Sequence, residues 1–156
     1  MLRVNRQTDY AIRVVLALSK RPQGTRIATS KLRREMLVPP AFLQRIVANL
    51  ANNGFINTQL GRDGGITLAH LPSEITLLQV LELFEGSLIL SDCVADPKSC
   101  PFGATCPVNR RWERLRNMMR EELGHTTFED LVQDAITLGD NVTNGLLTVT
   151  DSGTEK

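Results

Sequence analysis

Val38-Pro39-Pro40-Ala41-Phe42-Leu43-Gln44-Arg45-Ile46-Val47-Ala48-Asn49-Leu50 is the stretch whose reading decides the fold. Pro39-Pro40 suits a turn followed by a helix start, because proline fixes φ near its helical value and lacks an N–H that the first turn would leave unpaired. Phe42, Leu43, Ile46, Val47 and Leu50 then recur at helical spacing, and Asn52-Asn53-Gly54 ends the run. Just upstream, Thr29 or Ser30 can cap a short helix through Lys31, Leu32, Arg33, Arg34 and Glu35. Two helices joined by a tight turn, the second opening with small and polar residues, predict a helix-turn-helix. Pro40, Ala41, Gln44 and Arg45 fall on the face away from Leu43, Ile46 and Leu50. Glutamine can pair with adenine and arginine with guanine in a major groove, so this face can read sequence.

The flanks extend the pattern. Phe55–Leu60 alternates like a strand, Gly61-Arg62-Asp63-Gly64-Gly65 is a turn, and Ile66–Ala69 returns. A helix-turn-helix followed by a hairpin predicts a winged helix, with Arg62 at the tip placed to reach a minor groove or a phosphate. The plain alternative is a solvated hairpin arginine. On the N-terminal side, Ala11, Val14, Val15 and Leu18 make one apolar stripe on a helix over Asn5–Lys20; Thr8 can cap it, and Asp9 sits in its first turn. The charge agrees with a polyanion partner. Residues 1–70 hold 11 Lys/Arg against 3 Asp/Glu, a formal +8, and residues 71–156 hold 7 against 14, a formal −7. Lys31 and Arg33 join Gln44, Arg45 and Arg62 as expected DNA contacts.

Past Leu71-Pro72-Ser73, Thr76 and Gln79 form a capping box for a helix carrying Leu77, Val80, Leu81 and Phe84, stopped by Gly86. All three cysteines, Cys93, Cys100 and Cys106, then fall in a segment punctuated by Pro97, Pro101, Gly103 and Pro107, read as a constrained loop over residues 92–109. Three thiols in one loop and none elsewhere suggest a ligand set for a soft metal or an iron–sulfur cluster. Zinc would want a fourth Cys or His at close spacing, whereas His70 and His125 lie outside the loop. A thiol redox switch is the other reading. A long helix follows over residues 110–124, with Trp112, Leu115, Met119 and Leu123 on one side and Arg111, Glu113, Arg114, Arg120 and Glu121 on the other. Pairing with its copy in a second subunit is the economical way to cover the apolar side, intramolecular packing being the alternative. Thr126-Thr127 opens a last helix with Phe128, Leu131, Val132 and Ala135, and residues 137–156 read as a disordered tail.

The expected organisation is mainly α: a winged-helix DNA-binding unit over 1–72, then a connecting helix, cysteine loop, dimerisation helix and short terminal helix over 73–136. No nucleophile–base pair, phosphate-cradling glycine loop or zinc-hydrolase motif occurs, which argues against an enzyme. Met1–Arg6 is polar rather than a signal sequence, and no apolar run approaches a membrane span, so a cytoplasmic protein is expected.

Taken in order from Met1 to Ala135, these parts resemble the Rrf2 family of bacterial transcription regulators. The resemblance rests on Thr8-Asp9-Tyr10-Ala11, on Val38–Ile46, on Gly61–Gly65, on Ile75-Thr76-Leu77-Leu78, on the three cysteines and on Thr126–Leu131. It implies a winged-helix homodimer, paired through the long helix, on a pseudo-palindromic operator in double-stranded DNA. It also implies a [4Fe–4S] or [2Fe–2S] cluster on Cys93, Cys100 and Cys106, as in members that sense nitric oxide, iron supply or cluster supply. One branch of the family takes its fourth ligand from a histidine three residues after the last cysteine; here that residue is Asn109. Another takes a carboxylate at the start of the partner subunit's first helix, and Asp9 matches that position. A plain dipole-stabilising role for Asp9 stands beside it. The expectation is a repressor responding to nitric oxide, redox or iron status, with a cluster-free thiol regulator or a winged-helix protein-interaction adaptor as alternatives.

Overall fold

Helix α1 (Arg6–Ser19) is the element on which the others pack: α3 (Pro40–Asn52), α4 (Leu77–Glu85) and α7 (Phe128–Thr137) all contact it. The computed structural model describes residues 3–59, 61, 64–96, 98, 100–102 and 105–139. Ala11, Val14, Val15 and Leu18 are buried, as their spacing requires. The cap of α1 is Asn5 rather than Thr8. Asn5 has the extended backbone an N-cap needs, and its Oδ1 accepts from the Thr8 N–H at 2.9 Å. Thr8 sits inside the first turn and is fully buried.

Helix α2 (Thr29–Glu35) is also capped earlier than its sequence suggests, by Ala28 rather than Thr29 or Ser30; the Ala28 backbone is extended and its side chain accepts nothing. Its C-terminus closes in a Schellman motif: Val38 N–H donates to Arg33 O at 3.1 Å, and Leu37 N–H to Arg34 O at 3.4 Å. Leu37 therefore adopts φ +52, a left-handed conformation usually left to glycine, with its side chain 68% exposed. Val38 is buried beyond it, and Pro40 opens α3 at the first helical position. Leu43, Ile46 and Leu50 are buried along α3.

Strands β1 (Ile56–Gln59) and β2 (Gly65–Leu68) pair antiparallel, Ile56 opposite Leu68 and Gln59 opposite Gly65. The hairpin is anchored by a contact the sequence reading missed. Ile27, between α1 and α2, exchanges two backbone hydrogen bonds with Ile66, at 3.0 and 2.9 Å. That approach demands glycine at 65, where a Cβ would meet the Ile27 carbonyl oxygen at 2.5 Å.

A single 3-10 turn, Pro72–Glu74, leads into α4, whose Thr76/Gln79 capping box is as expected. The cysteine segment is more regular than a loop. Asp92–Ala95 forms a short helix, α5, and α6 runs Pro107–His125, starting three residues before the expected 110 because Pro107 supplies the first helical φ. Helix α6 packs on α4 and α5, and α7 opens with a Thr127/Asp130 capping box. The core does not stop at residue 72. Ile75, Val80 and the fully buried Phe128 join the cluster formed by α1, Leu32, Ile46, Leu50 and Ile66. Residues 140–156, most of the expected tail, lie outside the described residues.

Candidate nucleic-acid interface and cysteine segment

Burial of Leu43, Ile46 and Leu50 turns the opposite face of α3 outward, so Pro40, Ala41, Gln44 and Arg45 are all exposed. Tyr10 fixes this helix against α1 through an edge-to-face contact with Phe42, ring centroids 5.4 Å apart. On α2, Lys31 is exposed and lies 4.0 Å from Glu35, while Arg33 is half-buried. Glu35 also pairs with Arg21, clamping α2 to the end of α1. Arg62, the expected wing-tip contact, lies outside the described residues.

The three cysteines are all free and half-buried. Cys93 lies on α5, with its Sγ 3.2 Å from Ser91 Oγ; Cys100 follows α5, and Cys106 is the N-cap of α6. Two hydrogen bonds hold α5 on α6. Asn109 Nδ2 donates to Cys93 O at 2.9 Å, and Arg116 Nη1 donates to Val94 O at 3.4 Å. Asn109, the position at which one branch of the family carries a histidine, is thus a buried strut between helices. Asp9 is not drawn to the cysteines within this subunit: its Oδ2 lies 2.7 Å from Arg13 Nη2, one turn along α1. Among the described residues no three His, Cys, Asp or Glu side chains converge to hold a metal ion. The donor chemistry fits a cluster, since three thiols without disulfide partners lie within reach of solvent in one segment of the chain.

Helix α4 joins this segment to the rest of the chain. Glu82 pairs with Arg120 of α6, and Leu77 N–H donates to Thr126 O at 2.9 Å. Glu85, the last residue of α4, accepts from Asn5 N–H at 2.8 Å and from the Thr8 hydroxyl at 2.6 Å. Partial desolvation pushes the Glu85 carboxyl up, but the Thr8 and Asn5 hydrogen bonds outweigh it and hold the group below its ordinary 4.5. Gly86 follows with φ +78, and the cysteine segment begins there. A cleft of about 450 Å³ lies between Ser87-Leu88-Ile89, Ala95 and α6; its two cations, Arg116 and Arg120, are already engaged by Val94 O and Glu82.

On the outer side of α6, Val108, Trp112, Leu115 and Met119 recur at i, i+4, i+7 and i+11, with Trp112 40% and Leu115 38% exposed. Leu123 is half-buried at the inner margin of this stripe. No helix among the described residues is long and apolar enough to cross a membrane.

Known proteins share both the sequence and this arrangement. The chain is 28% identical over 138 residues to the HTH-type transcriptional regulator NsrR of Geobacillus kaustophilus, covering 88% of this chain and 94% of that one. The solved structure of CymR, described as the global cysteine regulator of B. subtilis, superposes with a TM-score of 0.72 at 23% identity, over 86% of this chain and 98% of that one. IscR of T. potens superposes with a TM-score of 0.68 at 20% identity, over 86% and 88%. Such relatives are transcription regulators rather than enzymes. The Rrf2 family model, described as iron-dependent transcriptional regulator, matches residues 4–134. With that match spanning both the winged helix and the cysteine segment, the chain belongs to the Rrf2 family of transcriptional regulators, a DNA-binding fold.

Proposed function

We propose that this regulator is a repressor whose DNA affinity follows the state of Cys93, Cys100 and Cys106, which hold an iron–sulfur cluster with Asp9 of the partner subunit as fourth ligand. The observation that carries the reading is the placement of three free, half-buried thiols in the segment joining α4 to α6, Cys93 on α5 and Cys106 capping α6, two helices packed together. When bound, the cluster supplies an iron site open to a small reactive molecule such as nitric oxide, with an oxygen ligand easier to displace than a thiolate. The chain's own residues do the rest. Gln44 and Arg45 read base edges, Lys31, Arg33 and Arg62 neutralise phosphates, and residues 1–72 form the reading unit on a pseudo-palindromic site in double-stranded DNA. The stripe through Trp112, Leu115 and Met119, with Leu123 at its edge, pairs with its copy across a two-fold axis. A cytoplasmic setting suits free thiols and a DNA target.

The test is an anaerobic visible absorption spectrum with iron and sulfide analysis of wild type and Cys100→Ala. Broad charge-transfer absorption with matching iron and sulfide, lost in the variant, supports the cluster. A colourless protein that binds DNA overturns it in favour of the second reading, a thiol regulator, which three free, half-buried thiols also suit. Sequence-preferring, salt-dependent binding to duplex DNA rejects a protein-interaction adaptor.

A further inference from the structure

We propose that Glu85 is a positioning residue that couples the cysteine segment to the DNA-reading half of the chain, by holding the first turn of α1 through Asn5 and Thr8. The inference rests on the functional reading above, because it requires that DNA affinity depend on the state of that segment.

Glu85 is the last helical residue of α4, and the chain turns at Gly86 directly into the segment that ends at Cys106. The end of α4 that carries this carboxylate is thus continuous with the stretch of chain that bears the thiols, so a change of state at Cys93, Cys100 and Cys106 has a direct covalent path to it. On its other side Glu85 reaches across nearly eighty residues of sequence to a helix terminus. The single hydroxyl proton of Thr8 is drawn to Glu85 Oε1 at 2.6 Å, with Asn5 Oδ1 farther off at 3.2 Å. Thr8 is fully buried, so its side chain has no solvent to turn to. The same Oε1 takes the N–H of the helix cap itself, and a carboxylate at a helix N-terminus is favoured by the unpaired N–H groups there.

What this turn positions bears on both halves of the function. Asp9 follows Thr8 directly, so its place on α1 is set by the turn Glu85 holds. Tyr10, one residue on, carries the edge-to-face contact to Phe42 of α3, the helix that presents Gln44 and Arg45. One turn earlier on α4, Glu82 holds Arg120 of α6. Two carboxylates three residues apart thus tie one helix to both neighbours, Glu82 to α6 and Glu85 to α1. Glu82 fastens α4 to the side that stays with the cysteine segment, while Glu85 adds a directional polar link to the apolar packing of α4 on α1, and that link holds the first turn of the reader's first helix.

The experiment compares wild type with Glu85→Ala, Glu85→Gln and Thr8→Val. Anisotropy titration with an operator duplex is run on anaerobically purified protein, before and after stripping metal with a chelator, and again after alkylating the thiols with iodoacetamide. Wild-type affinity is expected to change about tenfold with the state of the segment, a typical coupling between sites. Glu85→Ala and Thr8→Val should bind DNA in both states with nearly equal affinity, and Glu85→Gln, whose amide oxygen can still accept from both donors, should restore the difference. A merely structural role would weaken both states together and leave their ratio intact. Helical circular dichroism identifies any variant that fails to fold; Thr8→Val, nearly isosteric, then carries the test. A full wild-type ratio in Glu85→Ala or Thr8→Val overturns the inference alone. A wild type insensitive to both treatments overturns the functional reading, and the inference with it.

Discussion

Asp9 Oδ2 lies 2.7 Å from Arg13 Nη2 on the outer side of α1, and the same guanidinium stands 5.5 Å from the centre of the Tyr10 ring. A metal ion that takes Asp9 as ligand therefore competes with the Arg13 guanidinium for the same carboxylate. Truncating the competitor favours the iron. If Asp9 ligates a cluster, Arg13→Ala should slow iron loss to a chelator by about 1.5- to fivefold, the range that an exposed ion pair of roughly 0.2–1 kcal/mol allows. An unchanged rate assigns Asp9 to the helix dipole and to Arg13 only.

Leu37 occupies a backbone position that favours glycine. A left-handed conformation costs a non-glycine residue about 1–2 kcal/mol, offset in part by the roughly 0.5–1 kcal/mol of extra chain entropy that glycine loses on folding. Leu37 contributes little packing in return, being 68% exposed. Leu37→Gly should stabilise the fold by about 0.5–1 kcal/mol, which in a chain of this size is about 1–4 °C in a thermal melt. A lower melting temperature would show that the exposed side chain is covered in the assembled protein.

Gln44 and Arg62 should fail in different ways. Gln44→Ala should flatten the preference among operator variants by about 1–3 kcal/mol at one base pair, whereas Arg62→Ala should weaken all duplexes alike and reduce the salt dependence. Equal losses across every variant for Gln44→Ala would remove it from base readout. The comparison is a competition titration at two salt concentrations.

Acid should reach the α1–α4 junction through Glu85. Its carboxyl is held below 4.5 in the folded chain, so its contribution is fully present above that value and disappears as pH falls through the folded-state pKa. Urea unfolding followed from pH 6 downward should show a loss of stability below about pH 4.5 that is shallower in Glu85→Gln. Parallel curves for the two proteins would mean other carboxylates govern the acid limit.

The outer stripe of α6 offers a direct test of assembly. Leu115→Asp places a charge in the middle of that stripe while leaving the Glu82–Arg120 pair on the inner face untouched. Sedimentation should give a dimer for wild type and a monomer for the variant. The same mass for both would place the contact elsewhere.

What the sequence shows of this fold is what short-range physics dictates. The stripe through Ala11, Val14, Val15 and Leu18 and the one through Leu43, Ile46 and Leu50 follow from helical spacing, and the capping boxes at Thr76 and Thr127 are complete within four residues. Thr8 looked like a cap because its type suits one, yet its hydroxyl serves Glu85, a partner no local pattern can announce. Ile27 gave no strand signal because it pairs for a single residue. The short helix α5 was hidden by its four-residue length and by Pro97 just beyond it. For the candidate site, the sequence supplied the donors and the exposed face of α3. It could not say whether Cys93, Cys100 and Cys106 converge, since that depends on how the segment closes between two helices already fastened by Asn109 and Arg116.

The burial of Phe128 beside α1 bears on how this regulator can be taken apart. Many DNA readers are modules, able to be cut from their sensors and grafted to others. Here the last described helix folds back to plug the wall of the first, and Ile75 and Val80 fill the same interior. Excising the reader would open a hole the size of a phenylalanine ring, a loss of about 3–5 kcal/mol in a small core. The DNA-reading half and the helices after it share one interior, so a graft that keeps the reader intact has to carry Ile75, Val80 and Phe128 with it.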